Sequence, residues 1–273
     1  ALPLAFTITG GLVYLTNRTH RANRFWALLC LAVSLWGLAA FLIGRTHESA
    51  AAISLWRVAH VGVILIPVLF YQFVVALADV RRPKTLALVY AAGAGFLAAD
   101  ATPLFINQVR WVFGELYYDT PPSVLYVAFV LFFAGMAVLS HGELWRSLRR
   151  TTDPSRRLFL RWFLFSSAIG FAGGATCFLP VFGIDVYPAG NFAVSLFPLL
   201  MAYAFLRHRL VDVSLALARV VTFLLTYAIV VGVPLLAGHV FQATWQDTLG
   251  PWWWIAPMGL MGLLASASPI VFL

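Results

Sequence analysis

The sequence predicts an all-α polytopic membrane protein: a seven-helix bundle followed by two additional transmembrane helices, with the amino terminus outside. Hydrophobic residues make up 62% of the 273 residues and charged residues only 10%, whereas a typical soluble domain carries about 25% charged residues. The mean hydropathy is +0.90. The chain also divides into nine apolar runs, most of them near the ~20 residues that a helix needs to cross a bilayer.

The nine predicted spans follow one another with short connections. They cover residues 1–16, 25–44, 55–77, 85–106, 123–140, 158–184, 191–206, 217–238 and 252–273. The longest connection, NQVRWVFGELYYDTPP, follows the fourth span. Asp153 and Pro154 are typical of a helix N-cap and first helical position, so they predict a helix start. Because the chain begins without Met and ends inside an apolar run, we expect it to be cut at both ends.

Basic residues are distributed unevenly between alternate connections, and this asymmetry predicts the orientation. One set of connections holds only Arg45, Arg57 and Arg110. The other set holds fifteen basic residues: Arg18, Arg21, Arg24, Arg81, Arg82, Lys84, Arg146, Arg149, Arg150, Arg156, Arg157, Arg161, Arg207, Arg209 and Arg219. Because basic loops remain in the cytoplasm, the richer set is predicted to lie inside. Topology and anionic lipids then explain the net charge of +8, and no nucleic-acid partner is predicted.

A few ionisable residues near the outer ends of the spans are candidates for ligand binding, because a charge in hydrocarbon is costly. Arg57 and His60 lie one helical turn apart in the third span, and Asp100 lies near the end of the fourth. Arg110 is in the long connection, and Asp185 precedes the seventh span. One interpretation is that these five residues converge on an outer cup for a small-molecule or lipid ligand. The sequence favours the other interpretation, in which they are helix-end residues paired with each other or with lipid headgroups.

No cofactor, metal site or catalytic residue is predicted. Cys30 and Cys177 lie in apolar spans without a second Cys or His at a metal-ligand spacing. His60 and His239 could ligate a haem, but bis-histidine electron carriers usually need a further pair. The sequence has no HExxH motif, nucleotide-binding glycine loop or Ser–His–Asp arrangement. It also has no ionisable residue at the midplane of a span, which disfavours an ion-coupled carrier.

Four stretches, in this order, carry a family resemblance: NRFWALLCLAVSLW at 23–36, LWRVAHVGVILIPVLFYQF at 55–73, YPAGN at 187–191 and YAFLRHRLVDV at 203–213. With them, residues 1–213 resemble the seven-transmembrane amino-terminal sensor region of bacterial histidine kinases and diguanylate cyclases. The resemblance implies a sensor-like bundle that receives an extracytoplasmic or membrane-borne cue and passes it to a cytoplasmic output domain.

The chain departs from this pattern after residue 213. Residues 214–273 form a two-helix extension in our prediction, and no kinase or cyclase domain follows them in this sequence. Enzyme activity would therefore depend on an output domain elsewhere in a longer protein. Arg207, Arg209 and Asp212 become a hinge between the seventh and eighth helices, in which Asp212 is expected to pair with a neighbouring arginine and transmit the signal.

Three functions remain open at this stage. The leading interpretation is the sensory region of a signal-transduction protein in the bacterial inner membrane. The second is a non-catalytic transmembrane subunit of a larger complex, and the third is a carrier or channel. Membrane lipids are expected partners in each case, and a homodimer or partner subunits are compatible with the first two.

Overall fold

The computed structural model describes residues 2–119, 123–191, 193–194, 197, 230, 234, 237–238 and 241–267. Within these residues, eight α-helices have described bounds, and one antiparallel hairpin is formed. The helices are α1 (Leu2–Thr16), α2 (Arg21–Ile43), α3 (Ser49–Leu77), α4 (Pro83–Asp100), α5 (Val124–Arg150), α6 (Pro154–Ala175), α7 (Gln242–Leu249) and α8 (Ile255–Ala267), and the strands are β1 (Val109–Val112) and β2 (Leu116–Asp119). The chain divides into two compact units, Ala1–Leu210 and Val211–Leu273.

Four of the described helices are long and apolar enough to cross a membrane: α2, α3, α5, and α6 with the two 3-10 turns that extend it to Phe182. These helices confirm the predicted class, an all-α membrane protein. The count of seven helices and the outside amino terminus stay predictions. Most of the predicted spans 191–206 and 217–238 lie outside the described residues, as do Arg207, Arg209 and Asp212.

Helix α3 is the central helix of the first unit. In its most apolar 18-residue stretch 78% of the residues are buried, against 28% in α5. Its closest neighbour is α2, because Gly62 lets the two backbones approach: a Cβ at Gly62 would lie 2.5 Å from the Ala32 carbonyl oxygen. Lipid tails are as apolar as the helix surfaces, so such close packing, not hydrophobic exclusion, must hold the helices together.

Two connections differ from the sequence prediction. The residues after the fourth span form the hairpin, in which Val109 pairs with Asp119 and Val112 with Leu116. Its turn has positive φ at Phe113 (57°) and Gly114 (70°), as tight hairpin turns require. Helix α5 also continues to Arg150, ten residues past the predicted end, because charged side chains end an apolar run without ending a helix.

The predicted start of α6 is confirmed. The Asp153 carboxylate accepts hydrogen bonds from the backbone N–H groups of Ser155 (3.1 Å) and Arg156 (3.2 Å), and Pro154 occupies the first helical position. In the second unit, the ninth predicted span contains α8, which follows a 3-10 turn at Gly250–Trp252. The short helix α7 lies in a stretch predicted to be a connection.

Candidate functional site

A cavity of about 90 Å³ lies inside the first unit, between α1, α2, α3, α5 and α6. Its walls are mainly aromatic, with Trp36 from α2, Phe70 from α3, Phe133 from α5 and Phe171 from α6. This volume exceeds that of a single water, but a buried water also needs two to four polar partners. The apolar walls supply few of them, so the cavity suits an apolar molecule better than a water cluster.

His60 is the histidine in the cavity wall, and it is 1% exposed. Its Nδ1 lies 2.8 Å from the Trp56 carbonyl oxygen, and its Nε2 lies 3.3 Å from the Tyr126 hydroxyl. Because a carbonyl oxygen only accepts hydrogen bonds, Nδ1 carries the proton, and Nε2 of the neutral ring accepts from Tyr126. The ring also meets Phe105 edge-on, with centroids 5.5 Å apart. His60 and Tyr126 therefore form a fixed polar group in an aromatic wall.

The β-hairpin contributes Tyr118 to the cavity wall. Tyr118 of β2 lines the cavity and packs on Trp56, with ring centroids 5.1 Å apart. The Trp56 indole N–H donates to the Tyr117 carbonyl (2.9 Å), and the Tyr117 hydroxyl donates to the His47 carbonyl (3.1 Å). The hairpin is thus fastened both to α3 and to the connection that precedes it.

Arg110 and Asp185 form an ion pair that attaches the hairpin to the segment after α6. Arg110 Nη2 lies 2.8 Å from Asp185 Oδ1 and also 2.8 Å from the Pro180 carbonyl oxygen. The Asp185 side chain is 63% exposed, so the pair contributes little to stability. Near it, Phe113 meets the Tyr187 ring, with centroids 5.4 Å apart. The pair positions the hairpin and does not line the cavity.

Arg57 and Asp100 occupy a third place, where α3 meets the end of α4. Asp100 is 3% exposed and feels the charge of Arg57. Within the described part of the chain, Asp100 Oδ1 and Arg57 Nε are buried without a hydrogen-bond partner. A carboxylate at a helix C-terminus also opposes the helix dipole. Among the described residues the two side chains form no direct ion pair, so the Arg57 charge offsets only part of the cost of burying Asp100.

The five predicted residues thus fall at three places. His60 lines the cavity, Arg110 and Asp185 pair at the hairpin, and Arg57 and Asp100 lie together at the α3–α4 contact. Among the described residues, no group of three or more His, Cys, Asp or Glu is arranged to hold a metal ion.

Sequence reasoning missed the aromatic side chains of the cavity. Tyr118 belongs to the long connection after the fourth span, yet it is 3% exposed and lines the cavity. One sequence pattern did point to the aromatic wall: Tyr126 and Phe133 of α5 lie seven residues apart, on one helical face. This spacing predicts a shared face, but it does not show whether the face meets a neighbouring helix or a cavity.

Residues 1–214 match the model of a protein family described as the N-terminal 7TM region of histidine kinase. Comparison with curated proteins and with solved structures finds no match. The matched segment contains the whole cavity lining and the hairpin.

Proposed function

The chain is a multi-pass membrane protein that belongs to the family of N-terminal 7TM regions of histidine kinases, and we propose that it is the sensory region of a signal-transduction protein in the bacterial inner membrane. In this proposal seven helices form the sensing bundle, the amino terminus is outside, and residues 214–273 are a two-helix extension. The observation that supports a sensory role most directly is the aromatic cavity beneath the hairpin.

The proposed cue is an apolar ring compound that partitions into the membrane. Such a molecule would touch α2, α3, α5 and α6 at once, and it would supply the dispersion contacts that an empty cavity lacks. His60 and Tyr126 would give the one polar contact that orients it, as in other largely apolar ligand sites. A ligand shifts an equilibrium between two helix packings only by its differential affinity for them. A ligand that contacts all five helices of the cavity wall would have that difference in affinity.

The remaining predicted residues take supporting roles in this proposal. Arg110 and Asp185 hold the hairpin over the cavity, and Arg57 and Asp100 set the packing of α3 against α4. Arg207, Arg209 and Asp212 stay assigned to transmission between the seventh and eighth helices. The signal would then reach a cytoplasmic output module of the kind that histidine kinases carry.

Cavity filling tests the ligand site. Val33 lines the cavity and is 6% exposed, whereas Val138 on α5 is 73% exposed and serves as a matched control. We expect indole to raise the unfolding temperature of the wild-type chain and of Val138→Phe, but not of Val33→Phe. At ten times its Kd a ligand stabilises by about 1.4 kcal/mol, or a shift of roughly 3–5 °C for a chain of this size. Equal shifts in all three proteins would contradict the proposal.

A further inference from the structure

An open cleft of about 720 Å³ lies in the first unit where the α1–α2 connection meets the α3–α4 connection. It is separate from the aromatic cavity, since the two share no lining residue. Three arginines line the cleft: Arg21 at the start of α2, and Arg81 and Arg82 just before α4. The rest of the wall combines the polar side chains of Asn17, Thr19, His20, Gln72 and Asp79 with the apolar residues Val75, Ala76, Val80, Pro83 and Leu86.

The arginines of the cleft differ in whether a carboxylate pairs with their charge. Arg82 Nε donates to Glu143 (3.0 Å), a carboxylate that is 5% exposed. This hydrogen bond, reinforced by the Glu143 charge, raises the pKa of Arg82. In contrast, neither Arg21 nor Arg81 has an ion pair or a side-chain hydrogen bond to any other described residue. Asp79 also lines the cleft, so one acid faces three cations.

Both helices that begin at the cleft lack a side-chain cap. The N-cap of α2 is His20 and that of α4 is Arg82, and neither side chain accepts a hydrogen bond from its helix. Neither first turn contains an acidic residue. Each helix start carries a partial positive charge of about half an elementary charge, and the first backbone N–H groups lack partners within the helix. These dipoles add to the positive charge of the arginines.

We propose that this cleft binds a phosphate group, with Arg21 and Arg81 as its charged contacts. A guanidinium presents paired N–H donors that match phosphate oxygens. The cleft lies at the ends of apolar helices, where basic pockets meet the headgroups of anionic lipids. A phospholipid headgroup and free phosphate share this chemistry, and the experiment separates them. The site does not depend on the sensory role of the cavity.

The test uses the double variant Arg21→Gln/Arg81→Gln of the 273-residue chain. A matched control, Lys84→Gln/Arg150→Gln, removes the same charge from two exposed residues that do not line the cleft. Retention of phosphatidylglycerol against phosphatidylcholine is measured by native mass spectrometry, and inorganic phosphate is added in a second series. Because the double variant loses both guanidinium contacts to the phosphate, whereas the control loses only general surface charge, we expect roughly tenfold weaker phosphatidylglycerol binding in the double variant than in the control. The control should bind like wild type.

The variant Arg21→Lys/Arg81→Lys keeps the charge and should retain most of the binding, which distinguishes a lost contact from a misfolded chain. Inorganic phosphate could compete with the lipid, or bind alone and lose affinity in the same variants. Either result would support the phosphate site and show that it also accepts free phosphate. Equal lipid retention in the double variant and the control would overturn the proposal.

Discussion

Replacing Gly62 by alanine should open the closest helix contact of the first unit. A Cβ at this position would lie 2.5 Å from the Ala32 carbonyl oxygen, 2.9 Å from the Trp36 backbone nitrogen and 3.1 Å from Trp36 Cβ. Carbon and oxygen atoms in favourable weak contacts lie about 3.3–3.6 Å apart, so α2 and α3 must separate by roughly 1 Å. A gap of that size removes a quarter to a half of the dispersion energy of each affected contact.

The expected loss is about 3 kcal/mol, at the upper end of the usual cost of overpacking, because two backbone atoms and not a flexible side chain stand in the way. Gly95→Ala is the matched control: Gly95 also lies inside a helix, and its Cβ would meet nothing within 4 Å. Alanine there should stabilise by up to about 1 kcal/mol through helix propensity. The assay is unfolding of the purified chains in the same detergent. Equal midpoints for Gly62→Ala and Gly95→Ala would refute the packing argument.

Three further perturbations address the other contacts. Arg57→Leu removes the charge that partly offsets the burial of Asp100 and should destabilise the chain by about 2 kcal/mol. The double variant Arg57→Leu/Asp100→Leu should recover most of that loss, and an additive loss in unfolding experiments would contradict the coupling. Arg110→Gln should change the free energy of unfolding by less than about 1 kcal/mol, because its ion pair with Asp185 is exposed. The same variant should speed the hydrogen exchange of backbone amides in residues 109–119. Unchanged exchange would show that Arg110 does not hold the hairpin. Asp153→Ala removes both hydrogen bonds of the α6 cap and should cost about 1 kcal/mol, whereas Asp153→Asn should cost less.

The sequence predicted features that depend on local chemistry. The start of α6 followed from Asp153 and Pro154, because capping uses atoms only two or three residues apart. Gly62 was not identified as a contact residue, because a single glycine in an apolar run does not reveal which neighbour it faces.

The hairpin and the cavity depend on contacts that are distant in sequence. The hairpin stretch contains one glycine and several aromatic residues, a composition equally typical of a membrane-surface loop. Trp56 reaches Tyr117 across 61 residues, and Arg110 reaches Asp185 across 75. The charge asymmetry of the connections and the predicted span ends assigned the five candidate residues to one side of the membrane. The directions of their side chains, which the sequence does not give, distribute them between the cavity wall, the hairpin and the α3–α4 contact.

The sensory role of the cavity is tested most directly by joining the chain to a histidine-kinase output module and measuring autophosphorylation in proteoliposomes with and without indole. We expect indole to change the rate in the wild-type chain and in Val138→Phe, and to leave Val33→Phe at a constant rate because its cavity is filled. The same indole response in Val33→Phe and Val138→Phe, or no response in a wild-type chain that binds indole, would contradict the proposed function.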